Sequence, residues 1–421
     1  LALAVLPTHA LFFLAFCVFR GEGEGEGEGV GRVGLWVRDA CAVHAVVLGT
    51  WVAVRWSAWW RARPGLVLGA VLVLVGQQHA LSQWRFYNQY VVNITGPMMV
   101  LAIKLSSFAL DVHAGRVPPE ALALDLFYGW CFLFAGFFTG PVPSYADYCA
   151  FVCAPARFYA ADPRALRGRK RRAAFLVGSA ALLVYAHVLI QGAFPHATLL
   201  ATVERRDVSL VRRLVHVHLG LGEWRLKYYI AWMLAEGALV VVGLGARADP
   251  ARPQRVHWDR LQNINPMVIE TTCDFRTIIS EWNVTTNRWL NQCVYQRLGR
   301  SFPAALATYL VSAFWHGFYP GYYVTFLSGA LYTVLCRAVY RRFSWPWSRR
   351  LRHVLLWAPN YLVVDYFMVP FSVKTWADSV RFMRAVGWYG HVVLLAGLLA
   401  MALLAWLCPR RRHVSAPAKK T

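Results

Sequence analysis

The sequence predicts an all-α fold: a polytopic transmembrane bundle of about eleven helices, read as one membrane-embedded domain over residues 1–421. Three observations lead there. Hydrophobic residues make up 58% of the chain and charged residues 15%, against roughly 45–50% and about 25% in soluble domains. The apolar residues gather in blocks close to the roughly 20 residues that cross a bilayer core. Lys and Arg collect between those blocks, as cytosolic loops do under the positive-inside rule.

Taken in order, candidate spans fall near residues 1–20, 40–56, 65–81, 91–111, 122–141, 173–194, 225–246, 302–319, 321–340, 354–371 and 385–407. Leu1–Phe19 has the length of a signal-peptide core, but so many later spans make a transmembrane helix the simpler reading. The first residue is Leu1, so the true start is expected to be missing or processed. Gly21–Gly29 (GEGEGEGEG) is low-complexity, and residues 21–38 are expected to form a flexible loop. The stretch 247–301 has no clean apolar run but is rich in Trp, Asn, Arg and Thr. It reads as an amphipathic, half-buried segment lining a cavity.

Charge orders the topology. The formal net charge is +23, yet its placement between apolar blocks argues against nucleic acid as a partner. Basic loops leave open a second use, holding a phosphate-bearing cosubstrate. Four basic regions (Arg157–Arg172, 247–301, Arg337–Arg352 and the tail 409–421) are separated by pairs of helices. Even parity puts all four, the carboxyl-terminal tail included, on the cytosolic side. Arg61 and Arg63 fall on the opposite face and break the pattern.

Nine cysteines are scattered, several inside apolar spans, with no CxxC, HExxH or zinc-finger spacing. Neither a metal nor a disulfide framework is expected.

Ionisable groups at membrane depth cost about 2.5–3.5 kcal/mol on insertion scales and are therefore functional candidates. Here they are Lys104, Asp111, His187, Glu236, His316 and Asp365. Each also admits the plainer reading of a group paired inside the bundle. His316 has better company. Ser301 and Pro303 signal a helix start, and Tyr309, Ser312 and Ala313 share a face with His316, small or hydroxylic and able to orient an imidazole. Gly317, Pro320 and Gly321 then break the helix and open space beside the ring. Upstream, Glu281–Arg300 reads as a helix with Asn283, Thr286, Leu290, Val294 and Arg297 on one stripe. An interfacial helix anchored by Trp282 and Trp289 fits that stripe equally well.

These residues also resemble a family. Trp282-Asn283-Val284-Thr285-Thr286-Asn287-Arg288-Trp289-Leu290, followed by Trp315-His316-Gly317-Phe318-Tyr319-Pro320-Gly321-Tyr322-Tyr323, is similar to the signature of the membrane-bound O-acyltransferase (MBOAT) family. The PGYY run after WHG resembles its lysophospholipid acyltransferase branch. So do Thr95–Leu101 running to Asp111, Thr139-Gly140-Pro141 with Ser144-Tyr145, and Lys227–Trp232 with Ala235-Glu236-Gly237. The amino terminus departs from the family: it is shorter and carries the Gly-Glu repeat.

The resemblance implies transfer of a fatty acyl group from acyl-CoA to the free hydroxyl of a lysophospholipid, in the endoplasmic reticulum membrane. It places the active-site histidine at His316 and its partner at Asn283. Substrate contacts are expected from Trp282, Thr286, Arg288, Trp289, Arg297, Tyr309, Ser312, Trp315, Tyr322 and Tyr323. A buried imidazole stays neutral and suits a general base. The Asn283 amide suits an oxyanion donor, or else positions His316. Direct transfer needs no acyl-enzyme and no cofactor beyond acyl-CoA as cosubstrate. The expected partners are acyl-CoA, lysophospholipid and membrane lipids; a homo-oligomer stays open. Two rivals remain: a sibling that acylates a protein, a sterol or diacylglycerol, and a transporter, whose internal repeats are not evident here. Head group and acyl chain are not readable.

Overall fold

A computed structural model describes residues 28–89, 93–154, 168–249, 251–252, 255–343 and 349–408. The expected helix at 1–20, the Gly-Glu repeat, most of the basic loop before residue 168 and the tail 409–421 lie outside them. The described residues form a helical bundle with one small hairpin. Helix α1 (Glu28–Trp56) is followed by a single turn, α2 (Ala58–Arg61), then α3 (Pro64–Arg85), α4 (Thr95–His113), α5 (Leu124–Cys131) and α6 (Tyr145–Cys153). Next come α7 (Arg169–Ala193), α8 (Leu199–Glu204) and the long α9 (Leu210–Val242). A two-residue pair, β1 (Arg247–Ala248) with β2 (Val256–His257), leads into three short helices: α10 (Pro266–Thr271), α11 (Phe275–Glu281) and α12 (Val284–Leu290). The chain ends with α13 (Phe302–His316), α14 (Pro320–Arg342), α15 (Arg349–Val373), α16 (Trp376–Ala385) and α17 (Tyr389–Leu407). Among the described residues, six helical stretches are long and apolar enough to cross a membrane.

Three expectations need correction. Helix α1 begins at Glu28 rather than near residue 40, so the loop expected over 21–38 does not reach Arg38. The span expected at 122–141 is broken: α5 has eight residues, Phe134–Gly136 forms a 3-10 turn, and Gly140-Pro141-Val142-Pro143 then runs without helix, with a cis peptide at Gly140–Pro141. Glycine and proline at this density cannot sustain a helix. Irregular backbone at membrane depth must be enclosed by protein, and Trp130, Phe132 and Pro141 are indeed buried. Lys104 supplies part of the enclosure. It is fully buried, and its Nζ donates to the carbonyls of Trp130 (2.8 Å) and Cys131 (3.0 Å), the open end of α5. Finally, Glu281–Arg300 is not one helix. Helix α11 ends at Glu281, Trp282 and Asn283 are non-helical, and α12 passes at Asn291–Tyr295 into a π turn.

Two apolar clusters organise the bundle. One gathers α1, α3, α4, α5 and much of α9 around Trp130, Tyr145, Trp289 and Trp315; the other joins α8, α14, α15, α16 and α17 around Tyr366, Phe367 and Phe382. Helix α9 contributes to both, and the half-buried segment 256–295 packs into the first.

Most intramembrane ionisable residues are spent on pairing. Glu236 meets Arg172 at 2.7 Å, Asp111 meets Arg116 at 2.6 Å, and the His187 Nδ1 lies 3.2 Å from the Glu223 carbonyl oxygen. Asp365 receives His218 (2.6 Å) and Arg225 (3.1 Å). For these the plain reading holds.

Candidate active site

His316 is the last residue of α13. Ser301 caps the start, accepting from the Ala304 N–H, with Pro303 in the first turn. At the far end, Gly317 adopts φ 124° and ψ −164°, a region open essentially to glycine alone. The chain can therefore turn away immediately after His316. The imidazole is half-buried among aromatic rings: it stacks on Phe326 (5.3 Å) and meets the edge of Phe371 (4.9 Å) and, tilted, Tyr322 (5.9 Å). Its nitrogens have no hydrogen-bond partner among the described residues, unlike those of His79, His218 and His391, which are bonded.

Tyr309 does not orient His316. Its hydroxyl bonds the Thr333 hydroxyl on α14 (2.8 Å), two turns back along α13. Ser312 is buried one turn before the histidine, and Tyr323 is half-buried on α14.

Asn283 sits at the start of α12 in the left-handed region, φ 45° and ψ 55°. Asparagine tolerates that conformation better than most residues. Its side-chain oxygen accepts from the Asn263 amide (3.2 Å). Asn263 is fully buried; its backbone carbonyl accepts from Val284 N–H (2.9 Å), and its side-chain oxygen accepts from Thr285 N–H (2.9 Å) and the Thr285 hydroxyl (2.8 Å). That bonding leaves the Asn283 amide nitrogen, the donor end, with no partner among the described residues. The helical stripe expected from Asn283 to Arg297 does not form, because Asn283 precedes the helix and the π turn shifts the later positions. Thr286 is buried, whereas Arg288 and Arg297 are exposed.

An aromatic wall links the two motifs. Trp282 packs on Tyr228 (5.8 Å) and Trp232 (5.3 Å) of α9; Tyr228 contacts Trp224 (4.9 Å), Trp224 contacts Phe371 (5.7 Å), and Phe371 reaches His316. Trp289 and Trp315, also expected as substrate contacts, are tied into the bundle. Both are buried, 6.0 Å apart, and their indole N–H groups are committed to α4, at the Ser106 hydroxyl (2.8 Å) and the Met99 carbonyl (2.9 Å). They tie the two motif-bearing helices to one support.

The sequence reading passed over Asn263, His79 and Arg225. Asn263 left no signal of its own; the nearest was Asn265-Pro266, a helix-start pair, and Asn265 does cap α10. His79 was an ionisable residue inside an apolar span, the same signal used for the others. Arg225 left no local signal, since its partners Glu270 and Asp365 are far along the chain.

Residues 78–371 match the MBOAT, membrane-bound O-acyltransferase family. The chain belongs to that family. The matched range contains both motifs and ends on Phe371, beside His316. The chain is 27% identical over 361 residues to "Membrane-bound glycerophospholipid O-acyltransferase 2" of Rattus norvegicus, covering 79% of this chain and 69% of that protein. It is 29% identical over 352 residues to "Lysophospholipid acyltransferase" of Saccharomyces cerevisiae, covering 73% and 57%. It is 26% identical over 363 residues to "Membrane-bound glycerophospholipid O-acyltransferase 1" of Homo sapiens, covering 77% and 71%. Membership of the MBOAT family makes the chain a multi-pass membrane acyltransferase.

Proposed function

We propose that this acyltransferase moves a fatty acyl group from acyl-CoA to the free hydroxyl of a lysophospholipid, in the endoplasmic reticulum membrane, with the carboxyl-terminal tail in the cytosol. The observation that carries the reading is the His316 imidazole, ringed by Phe326, Phe371 and Tyr322, half-buried, and with neither nitrogen bonded among the described residues. An apolar collar suits two acyl-bearing substrates, and an unbonded imidazole suits proton transfer at the point where they meet.

In the reaction, His316 takes the proton of the lysophospholipid hydroxyl as its oxygen attacks the thioester carbon. The carbonyl electrons move onto oxygen, where the Asn283 amide N–H donates to the oxyanion. Collapse of the tetrahedral intermediate breaks the C–S bond, and the imidazolium returns its proton to the departing CoA thiolate. No acyl-enzyme forms. Arg288 and Arg297, both exposed beside the motif, meet the phosphates of CoA.

The test uses purified protein in detergent with acyl-CoA and a panel of lysophospholipids, following CoA thiol release and diacyl product together. Product should form with the parent and be lost, by about 10²–10⁴ in rate, in a folded His316→Ala variant. Substantial transfer by that variant rules out His316 as the base. No turnover of any lysophospholipid by the parent rules out the substrate class.

A further inference from the structure

Asn283 lies on an irregular stretch, and something must hold that stretch at a fixed distance from His316. Between Asn263 and Thr285 the chain makes a compact loop containing α10 and α11. Its base is closed by the bonds around Asn263 and by the Asn265 N–H to the Glu281 carbonyl (3.3 Å). A loop closed only at its base still pivots. Its far side is pinned at Glu270, near the end of α10.

Glu270 is held by two elements of the bundle. Arg225 of α9 grips its carboxylate with two prongs, Nε to Oε1 and Nη2 to Oε2, both 3.2 Å. The Tyr229 hydroxyl, one turn later on α9, donates to Oε1 at 2.6 Å. From α15, the Trp357 indole donates to the Glu270 carbonyl (2.8 Å) and the Tyr361 hydroxyl donates to the Ile269 carbonyl. The third prong of Arg225, Nη1, reaches Asp365 of α15 at 3.1 Å, and Asp365 in turn receives His218. Arg225 and Asp365 are buried.

The connectivity matters more than the charge count. Arg225 follows Trp224, whose ring touches Phe371; Asp365 stands on the helix that carries Phe371 against His316; Glu270 stands on the loop that carries Asn283. One planar guanidinium therefore joins the loop bearing the amide to the helix that walls the imidazole. We propose that Arg225 is a positioning residue for acyl transfer: its three-pronged hold on Glu270 and Asp365 sets where Asn283 stands relative to His316. This rests on the proposed roles of those two residues. A lysine keeps the charge but not the fork, so the two are separable.

The experiment compares Arg225→Lys, Glu270→Gln and Asn283→Ala, singly and as the Glu270→Gln/Asn283→Ala double variant, in purified full-length protein. Arg225→Lys and Glu270→Gln should each keep KM for acyl-CoA within about threefold while kcat falls about tenfold or more, since sub-ångström to ångström misplacement is costly. Backbone hydrogen exchange should rise across residues 263–285 and stay unchanged elsewhere. The double variant should be no slower than Asn283→Ala alone, the non-additivity of two changes acting through one group. Three results overturn the proposal: full kcat in a folded Arg225→Lys variant, exchange raised throughout the bundle in step with lost activity, or additive losses in the double variant. If Asn283→Ala itself keeps parental turnover, the reading of the site fails, a result distinguishable from the failure of Arg225 because the exchange measurement stands without it.

Discussion

His79 of α3 donates its Nε2 hydrogen to the backbone carbonyl of Trp315, 2.9 Å away and 236 residues along the chain. The carbonyl can only accept, so the Nε2 position carries the proton. This carbonyl belongs to the last turn of α13, where helical carbonyls lack intrahelical partners. The bond therefore fixes the turn on which His316 stands. His79→Ala should destabilise the protein by about 1–3 kcal/mol, the cost of an unsatisfied buried acceptor, and slow transfer beyond the loss of folded protein. Gln, which has an amide donor at similar reach, should recover part of both. Unchanged melting and turnover in His79→Ala would show that the bond is dispensable.

Gly317 is squeezed between conformation and contact. Its φ of 124° suits glycine, and a Cβ there would stand 3.0 Å from the His79 Nδ1. Gly317→Ala should cost about 1–3 kcal/mol in backbone strain and displace His79 or His316. Thermal melting with parallel turnover measurement checks it; a variant that melts and turns over like the parent contradicts the fit described here.

Gly321 is tighter still. Its N–H donates to the Lys374 carbonyl (2.8 Å), and a Cβ would fall 2.0 Å from the Pro370 carbonyl oxygen and 2.7 Å from that of Lys374. Backbone cannot swing aside as a side-chain tip does. Gly321→Ala should part the start of α14 from the end of α15, at a cost of about 1–3 kcal/mol or more. It should also carry Tyr322 and Phe371 away from His316, so kcat falls more than stability alone explains.

Arg288 and Arg297 are exposed, so the CoA contacts proposed for them are screened ones. Arg288→Gln and Arg297→Gln should each raise KM for acyl-CoA with kcat unchanged, by no more than about 1 kcal/mol, roughly fivefold. The difference should shrink as salt is added. A KM insensitive to both substitutions assigns the CoA phosphates elsewhere.

Much of this was legible in the sequence, for identifiable reasons. Apolar blocks over 65–81, 173–194 and 385–407 return as α3, α7 and α17, because lipid-facing helices are specified by local composition. The Ser301–Pro303 start and the stop after His316 were local signals and hold. What failed was tertiary. Residues 122–141 are apolar enough for a span, but their broken backbone is tolerated because side chains on other helices satisfy freed carbonyls, Lys104 at Trp130 and Cys131 and Trp232 at Thr139. Residues 281–300 have helical periodicity, yet Asn263 captures Val284 and Thr285 and sets Asn283 outside the helix. Tyr309 was expected to serve His316, but Thr333 on the next helix claims its hydroxyl. No periodicity within one segment reports a partner on another.

The Lys104 contact also governs how the chain enters the bilayer. Its two carbonyl partners, at Trp130 and Cys131, are synthesised after it, the nearer one 26 residues later. Until they are present the ammonium sits in an apolar helix without its ligands, at a cost of about 2.5–3.5 kcal/mol on insertion scales. The short α5 is equally dependent, being too brief to span alone and left with open carbonyls. Each half is costlier in lipid without the other. Helix α4, apolar enough to cross alone, should therefore be held across the membrane less firmly in a nascent chain ending before Trp130 than in one that includes Trp130 and Cys131.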